Sequence, residues 1–274
     1  IYNEINLHIG NSRNRGIAYA TGKYIGFVDH DDYCEPQMFE LLFQKAENEN
    51  LDIVQCNYTA DFISHEMPQF RANKPVGKFQ LSPQNLQNIH KNAFSGKDDC
   101  DFFIWTKIFN ASFLKNHNLN FVDTRMTSLE DRLFVIETLF CTNKVGAIPN
   151  NFYHWVNHLS NTGKTYTTIQ NNINYCLKLD EILKKYDAEN TYYADFLRCL
   201  SATLYSPFYR VLTGKSNNEV RTILTVIKQS EIYKHINNMF KIKYLPIWFK
   251  QKPTISVFLI SLKLMPRKFI SQNK

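Results

Sequence analysis

Tyr24-Ile25-Gly26-Phe27-Val28-Asp29-His30-Asp31-Asp32 is the stretch on which the reading of this chain turns. A short apolar run, rich in aromatic and β-branched residues, reads as a buried strand. Three carboxylates, Asp29, Asp31 and Asp32, follow at its end. In open α/β sheets, ligands bind outside the carboxyl ends of the strands. Acids this close raise one another's pKa unless a cation neutralises them. Mg²⁺ or Mn²⁺, held by one or two carboxylates and completed by substrate phosphates, suits such a site. The pattern therefore points to metal-assisted chemistry on a phosphorylated ligand. The competing reading is an ordinary Asp-rich turn, because Asp bonds its own backbone where a strand ends.

With 274 residues, 44% of them hydrophobic, the chain can bury a substantial core in one or two domains. It opens on Ile1 without a charged-then-apolar leader, so no secretory signal is expected. The best apolar run, Ile255 to Leu262, stops at Lys263, far short of a bilayer crossing. The six cysteines show no Cys-x-x-Cys pair, which argues against a zinc site or a disulfide scaffold and fits a reducing cytosol. Of the net charge of +7, the segment from Lys241 to Lys274 supplies eight Lys or Arg and no acid, interleaved with Tyr244, Ile247, Trp248, Phe249 and Phe258. That mixture suits peripheral contact with an anionic membrane. A solvated tail and a single-stranded nucleic-acid arm share the composition. The large apolar residues favour the membrane, and no nucleic-acid partner is expected.

Periodicity and breakers predict a helix from Asn11 to Thr21, closed by Gly22, and then the strand Tyr24–Val28. Pro36 opens a helix to about Glu49. A second strand covers Leu51–Tyr58, residues 60–80 read as loop with a short hairpin, and Ser82-Pro83 starts a helix to about Phe94. A short helix begins near Ala111. Ser128 opens the helix Leu129–Cys141 in a capping-box pattern. Strands follow at Val145–Ile148 and Phe152–Val156. From about Thr165 the texture turns helical, at 168–187, 189–213 and 217–230, with a Ser216/Glu219 capping box on the last. Residues 1–165 thus form an α/β part, and 166–274 a helical region with a basic tail.

Glu130-Asp131 fits a helix cap and its dipole. Asp131, held at a helix start near a metal-bound phosphate, could also deprotonate a hydroxyl. His154 and His158 could ligate a metal or donate to a diphosphate, or they could simply pack against Tyr153 and Trp155. Arg13, Arg15 and Lys23 could bind phosphate or be surface charge.

Asn11 through Asp32, with Asn14-Arg15-Gly16 and Ala20-Thr21-Gly22-Lys23-Tyr24-Ile25-Gly26-Phe27-Val28-Asp29-His30-Asp31-Asp32, closely resembles the signature block of family 2 glycosyltransferases. Trp105-Thr106-Lys107-Ile108-Phe109, Leu129-Glu130-Asp131, and Tyr153-His154-Trp155 through Ser160-Asn161-Thr162 resemble its later blocks, in order. The resemblance implies a GT-A-type, Rossmann-like mixed sheet flanked by helices, followed by a C-terminal helical region. It implies an inverting hexosyl transfer from a nucleotide-diphosphate sugar, most simply a UDP-sugar. The acceptor would be a hydroxyl of a surface glycan or a lipid-linked acceptor, at the cytoplasmic face of the cell membrane. By the same resemblance Asp31 is the main ligand of a divalent metal, Mn²⁺ or Mg²⁺. Asp29 contacts the ribose or shares the metal, Asp32 lines the donor pocket, and Asp131 is the base supported by Glu130. Asn157-His158 stands where the family usually carries an Arg. The family pattern normally begins further upstream, so the resemblance places Ile1 inside the domain, with one wall of the donor site missing. Two other classes compete: a metal-dependent phosphohydrolase or nucleotidyltransferase, and an inactive membrane-associated binding fragment.

Overall fold

The computed structural model describes residues 2–63, 71–76, 81–95, 102–157, 168–214, 217–244 and 253–264. The chain divides into two compact units. The first takes residues 1–90, 98–124 and 130–166, and the second takes 91–97, 125–129 and 167–274.

The first unit is built on a mixed sheet of six strands: β1 (Tyr24–Gly26), β2 (Tyr33–Cys34), β3 (Ile53–Ile63), β4 (Arg71–Val76), β5 (Lys107–Asn110) and β6 (Val145–Asn157). The order is β1-β5-β3-β6-β2, with β4 paired on β3. β1 and β3 each run antiparallel to β5, while β3 and β6 are parallel. β1, β3 and β6 therefore point the same way, and the acids after β1 emerge at the edge where Asp61 and His154 also lie. β2 then pairs antiparallel with β6, Tyr33 opposite His154, and ties that loop to the sheet.

The opening run is not the buried five-residue strand its composition predicts. β1 stops at Gly26, lies at one end of the strand order, and is only half-buried. Val28 is exposed, whereas Phe27 packs edge-on against Phe109, Phe121 and Phe134. Aromatic anchoring, rather than strand pairing, explains the apolar residue after Gly26.

α1 spans His8–Tyr19, starting earlier than predicted. A Cβ on Gly10 would meet the Val122 carbonyl oxygen at 2.2 Å, so glycine lets α1 lie directly against that backbone. The Gly10 N–H donates to Thr124 Oγ1 at 2.8 Å. α2 (Met38–Glu49) ends at Asn50 in the left-handed region, φ 51°, and buries Met38, Leu42 and Ala46. A 3₁₀ turn at Pro83–Asn85 leads into α3 (Leu86–Ser95). α4 (Ala111–Asn116) is capped by Asn110, whose Oδ1 accepts from the Phe113 N–H.

β3 runs five residues beyond the predicted Tyr58, to Ile63, and pairs with β4 as a hairpin. The two strands predicted at 145–148 and 152–156 are one strand, β6. Its register against β3 shifts between Gln55 and Tyr58, and this irregularity absorbs Pro149. α5 (Glu130–Cys141) begins without the expected capping box. Leu129, at φ 55°, takes the cap position, so Ser128 stands one residue before it, with its Oγ donating to Asn172 Oδ1. Leu133, Ile136 and Leu139 are buried as their spacing predicts.

The second unit is helical: α6 (Ile169–Lys185), α7 (Glu189–Gly214), α8 (Asn217–Gln229), α9 (Tyr233–Met239), a 3₁₀ turn at Ile242–Tyr244, and α10 (Pro253–Leu264). Its core includes Ile173, Leu179, Phe196, Leu200, Ile227, Ile236 and Phe258. Ser216, half of the predicted capping box, lies outside the described residues. Among the described residues, no helix is long and apolar enough to cross a membrane.

Candidate active site

Arg13, one turn beyond Gly10 on α1, joins two of the acidic positions. Its Nη2 is 3.0 Å from Asp29 Oδ1 and its Nη1 is 2.9 Å from Glu130 Oε1. The guanidinium also stands over the Phe121 ring, 5.5 Å from its centroid. With side-chain exposures of 16% for Arg13 and 11% for Glu130, this contact is drier than a surface pair. One arginine thus links the turn after β1 to the start of α5.

The three aspartates of the turn differ in what they bond. Asp32 is consumed by the fold: Oδ2 accepts from the Tyr153 hydroxyl at 2.8 Å, and Oδ1 from the Val156 N–H at 2.8 Å. Burial raises the Asp32 carboxyl, and the charges of Asp31 and Asp29 push the same way, against those two donors. The Tyr153 hydroxyl also accepts from the Asp29 N–H at 3.1 Å, so one phenol aligns both ends of the turn. Burial, helped by the Asp32 charge, keeps that phenol protonated far above its ordinary range.

Asp31 is the contrast. Among the described residues its carboxylate makes no hydrogen bond, and its one possible ion-pair contact is the exposed His30, Nδ1 4.0 Å from Oδ1. Asp31 and Asp29 side chains are 35% and 36% exposed, open enough for a ligand to reach. Among the described residues, no three His, Cys, Asp or Glu side chains converge as a preformed metal cage. The donor set still fits a hard divalent ion, which takes one or two carboxylates and completes its shell with water and phosphate oxygens. Asp31 has both oxygens unengaged, and Asp29 commits only Oδ1 to Arg13.

Asp131 is half-buried beside this cluster, its Oδ1 accepting the Arg132 N–H at 2.7 Å. Burial raises its carboxyl and the Asp29 charge adds to the rise, while Arg13 and Arg132 oppose it. Glu130 is also raised, first by burial and then by the Asp131 charge. A carboxyl so raised is a stronger proton acceptor once ionised.

His154 is placed elsewhere than the sequence reading implies for a donor ligand. Its ring is 9% exposed and stacks on Tyr33, centroids 4.3 Å apart and planes 6° from parallel. Nε2 lies 3.1 Å from Glu35 Oε1 and Nδ1 lies 3.4 Å from Asp61 Oδ2. Tyr33 donates to the same Asp61 oxygen at 2.5 Å, and Asp61 is fully buried. The ring is spent on the protein's own carboxylates. His158, like Ser160, Asn161 and Thr162, lies outside the described residues.

Asp61, Glu35 and Tyr33 are parts of this arrangement that motif reading does not single out, and Tyr153 receives no role from it. Asp61 carries a signal all the same: a carboxylate within a run buried from Ile53 to Asp61 requires a partner. The Trp-x-Lys block is interior. Trp105 stacks between Phe103 and Tyr153, and the fully buried Lys107 donates through Nζ to the Phe103 carbonyl at 2.7 Å.

Residues 1–66 match the family described as Glycosyl transferase family 2. The chain is 29% identical over 167 residues to a putative glycosyltransferase, EpsH, of Bacillus subtilis, covering 61% of this chain and 46% of that protein. It is 24% identical over 221 residues to the uncharacterized glycosyltransferase YibD of Escherichia coli, covering 81% and 61%. It superposes on a crystal structure of S. aureus TarS in complex with UDP-GlcNAc with a TM-score of 0.46 and 13% identity, over 93% of this chain and 62% of that one. The chain spans about half the length of the curated relatives it matches, 46% and 61% for these two. The match over residues 1–66 and these relatives support a family 2 glycosyltransferase.

Proposed function

We propose that this chain transfers a sugar, with inversion, from a nucleotide-diphosphate sugar such as a UDP-sugar to a hydroxyl of a surface glycan or lipid-linked acceptor. The observation that carries the reading is the Arg13 bridge. It holds Asp29, from the turn after β1, and Glu130, from the start of α5, in one cluster, with Asp31 left open beside them. The family match over residues 1–66 and the similar glycosyltransferases support the reaction class.

Asp31 and Asp29 would hold the divalent ion, Mn²⁺ or Mg²⁺, which when bound neutralises charge building on the departing diphosphate. Asp32 and Tyr153 fix the turn from which those carboxylates project. Asp131 accepts the proton of the acceptor hydroxyl as that oxygen attacks the anomeric carbon opposite the leaving group. The bond to the diphosphate oxygen breaks as the new glycosidic bond forms, which inverts the centre. Glu130 holds Arg13, and Arg13 orients Asp29. His154 enters as a positioning residue: through Tyr33 and Glu35 it anchors β2, the strand that closes the acidic turn.

The basic segment 241–274 would keep the enzyme against an anionic membrane, at its cytoplasmic face. Flotation with anionic liposomes reads this directly, and deleting 241–274 is expected to abolish salt-sensitive binding.

Turnover of UDP-sugars with and without a glycan acceptor tests the reaction itself. Acceptor-dependent release of UDP is expected, lost in Asp131→Asn. Release of inorganic phosphate without an acceptor, or full turnover by Asp131→Asn, would overturn the reading in favour of a phosphohydrolase.

A further inference from the structure

The helical unit holds a cavity of about 610 Å³ that has no part in the chemistry above. Residues of the first turn of α7 form one wall, α9 another, and the 3₁₀ turn at Ile242–Tyr244 a third. Its rim carries Lys184, Lys234 and Lys243 against a single carboxylate, Glu189. Lys184 is already paired, Nζ 2.5 Å from the buried Asp180 carboxylate. The other two are not. Among the described residues the Lys234 ammonium makes no ion pair or hydrogen bond, and Lys243 Nζ stands only over the Tyr244 ring, 4.8 Å from its centroid. Two exposed ammonium groups without an ion-pair partner, facing one concavity that holds a single carboxylate, make a local positive potential that a surface scatter of paired lysines would not.

The floor is built rather than incidental. Tyr193 lines the cavity, accepts from Asn238 Nδ2 at 2.9 Å, and lies 2.9 Å from Nδ1 of His235. His235 is 4% exposed, and its Nε2 is 3.2 Å from Asp180 Oδ2. A line of polar side chains from Asn238 through Tyr193 and His235 to Asp180 thus fixes the wall before any ligand arrives. A volume of this size, with a few fixed polar groups and two aromatic rings, falls in the range of small-molecule sites.

We propose that this cavity binds a phosphate ester, with Lys234 and Lys243 as the charges that hold the phosphate and Tyr193 and Tyr244 packing the organic part. Lysine serves as a phosphate-binding point charge, and the positive end of the α7 dipole adds to it. The same chemistry could come from a soluble phosphorylated metabolite or from a phospholipid headgroup, and the experiment separates them. The proposal does not rest on the glycosyl-transfer reading.

The test uses the full chain carrying Asp31→Ala, in EDTA, so that the acidic site and its metal contribute nothing. Inorganic phosphate is titrated while the amide signals of Asn190, Thr191 and the Asn238 side chain are followed by NMR. Saturable shifts are expected. In the double variant Lys234→Glu/Lys243→Glu the affinity should fall at least about tenfold, since hydrogen bonds to charged groups have this size. Lys178→Glu, on α6 and outside the cavity, should leave it unchanged. Flotation with phosphatidylcholine vesicles, with and without phosphatidic acid, follows. Loss of phosphatidic-acid-dependent flotation in the double variant identifies a headgroup site, and phosphate binding without that loss identifies a soluble ligand. Absence of saturable shifts, or shifts unchanged in a double variant that melts like its parent, would overturn the proposal.

Discussion

Two clusters at the carboxyl edge of the sheet use the same residue types to opposite ends. Around Arg13, the carboxylates of Asp29 and Glu130 share one cation, and Asp31 beside them is partly exposed and unengaged. Around His154, the carboxylates of Glu35 and Asp61 close on one ring, which Tyr33 covers. The first arrangement leaves a partly exposed carboxylate available to a ligand; the second buries its Asp61 and His154 inside the fold. Type and proximity of acids are therefore poor guides to which of them act. What separates the two clusters is whether a carboxylate is left within reach of a ligand, as Asp31 is and the buried Asp61 is not.

The comparison breaks most visibly at Asp131. Asp131→Asn is expected to lower UDP-sugar turnover by about 10²–10⁴-fold, the usual worth of a general base, while circular dichroism stays native. A loss below about tenfold would remove Asp131 from the role of base. In the closed cluster the effect moves from rate to stability. His154→Leu leaves the Asp61 carboxylate buried without the ring beside it, and should cost about 3 kcal/mol in urea unfolding. A cost under about 0.5 kcal/mol would show that the stack is not structural.

Arg13→Gln sharpens the contrast from the open side, with an expected stability loss of about 1.5–3 kcal/mol from lost charge-assisted bonds and weaker UDP binding. An unchanged affinity would separate the bridge from ligand binding. Tyr153→Phe removes one donor and one acceptor at the turn and should cost about 1–2 kcal/mol by the same measurement.

The smallest expected effect is with pH. Asp131, Glu130 and Asp32 have folded-state pKa values raised mainly by burial. The folded chain therefore binds more protons than the unfolded one between the ordinary carboxylate values and the raised ones. Their contribution favours folding at low pH and is lost as pH rises through the raised values. Turnover follows the opposite course, because the base acts only when ionised. At neutral pH, Asp131→Asn should melt no lower than the parent, so that activity and stability part at one residue. A lower melting temperature would contradict the burial account.

Much of this was readable in advance. The blocks around Asp29–Asp32, Glu130-Asp131 and Tyr153-His154 stand in an order that points to the family, and helix periodicity placed α2, α6, α7 and α8 within a few residues of their bounds. What failed has physical causes. β3 alternates polar and apolar residues from Gln55 to Phe62, past the expected end at Tyr58, yet it pairs on both sides and is buried from Ile53 to Asp61, so its polar positions face protein rather than water. Pro149 looks like a break but sits where the register slips. Ser128-Leu129-Glu130-Asp131 matches a capping box, yet Glu130 is drawn to Arg13, a residue 117 positions away in sequence. Local rules could not weigh that distant arginine. For the same reason the sequence leaves His154 open between a ligand and a packed side chain: only the fold shows Glu35 and Asp61 on either side of it.

Calorimetry of UDP binding, with Mn²⁺ and with EDTA, on the parent chain and on Asp31→Ala, tests the central claim most directly. The account predicts metal-dependent binding that disappears with the Asp31 carboxylate. UDP binding that is indifferent to the metal, or that survives Asp31→Ala intact, would contradict it.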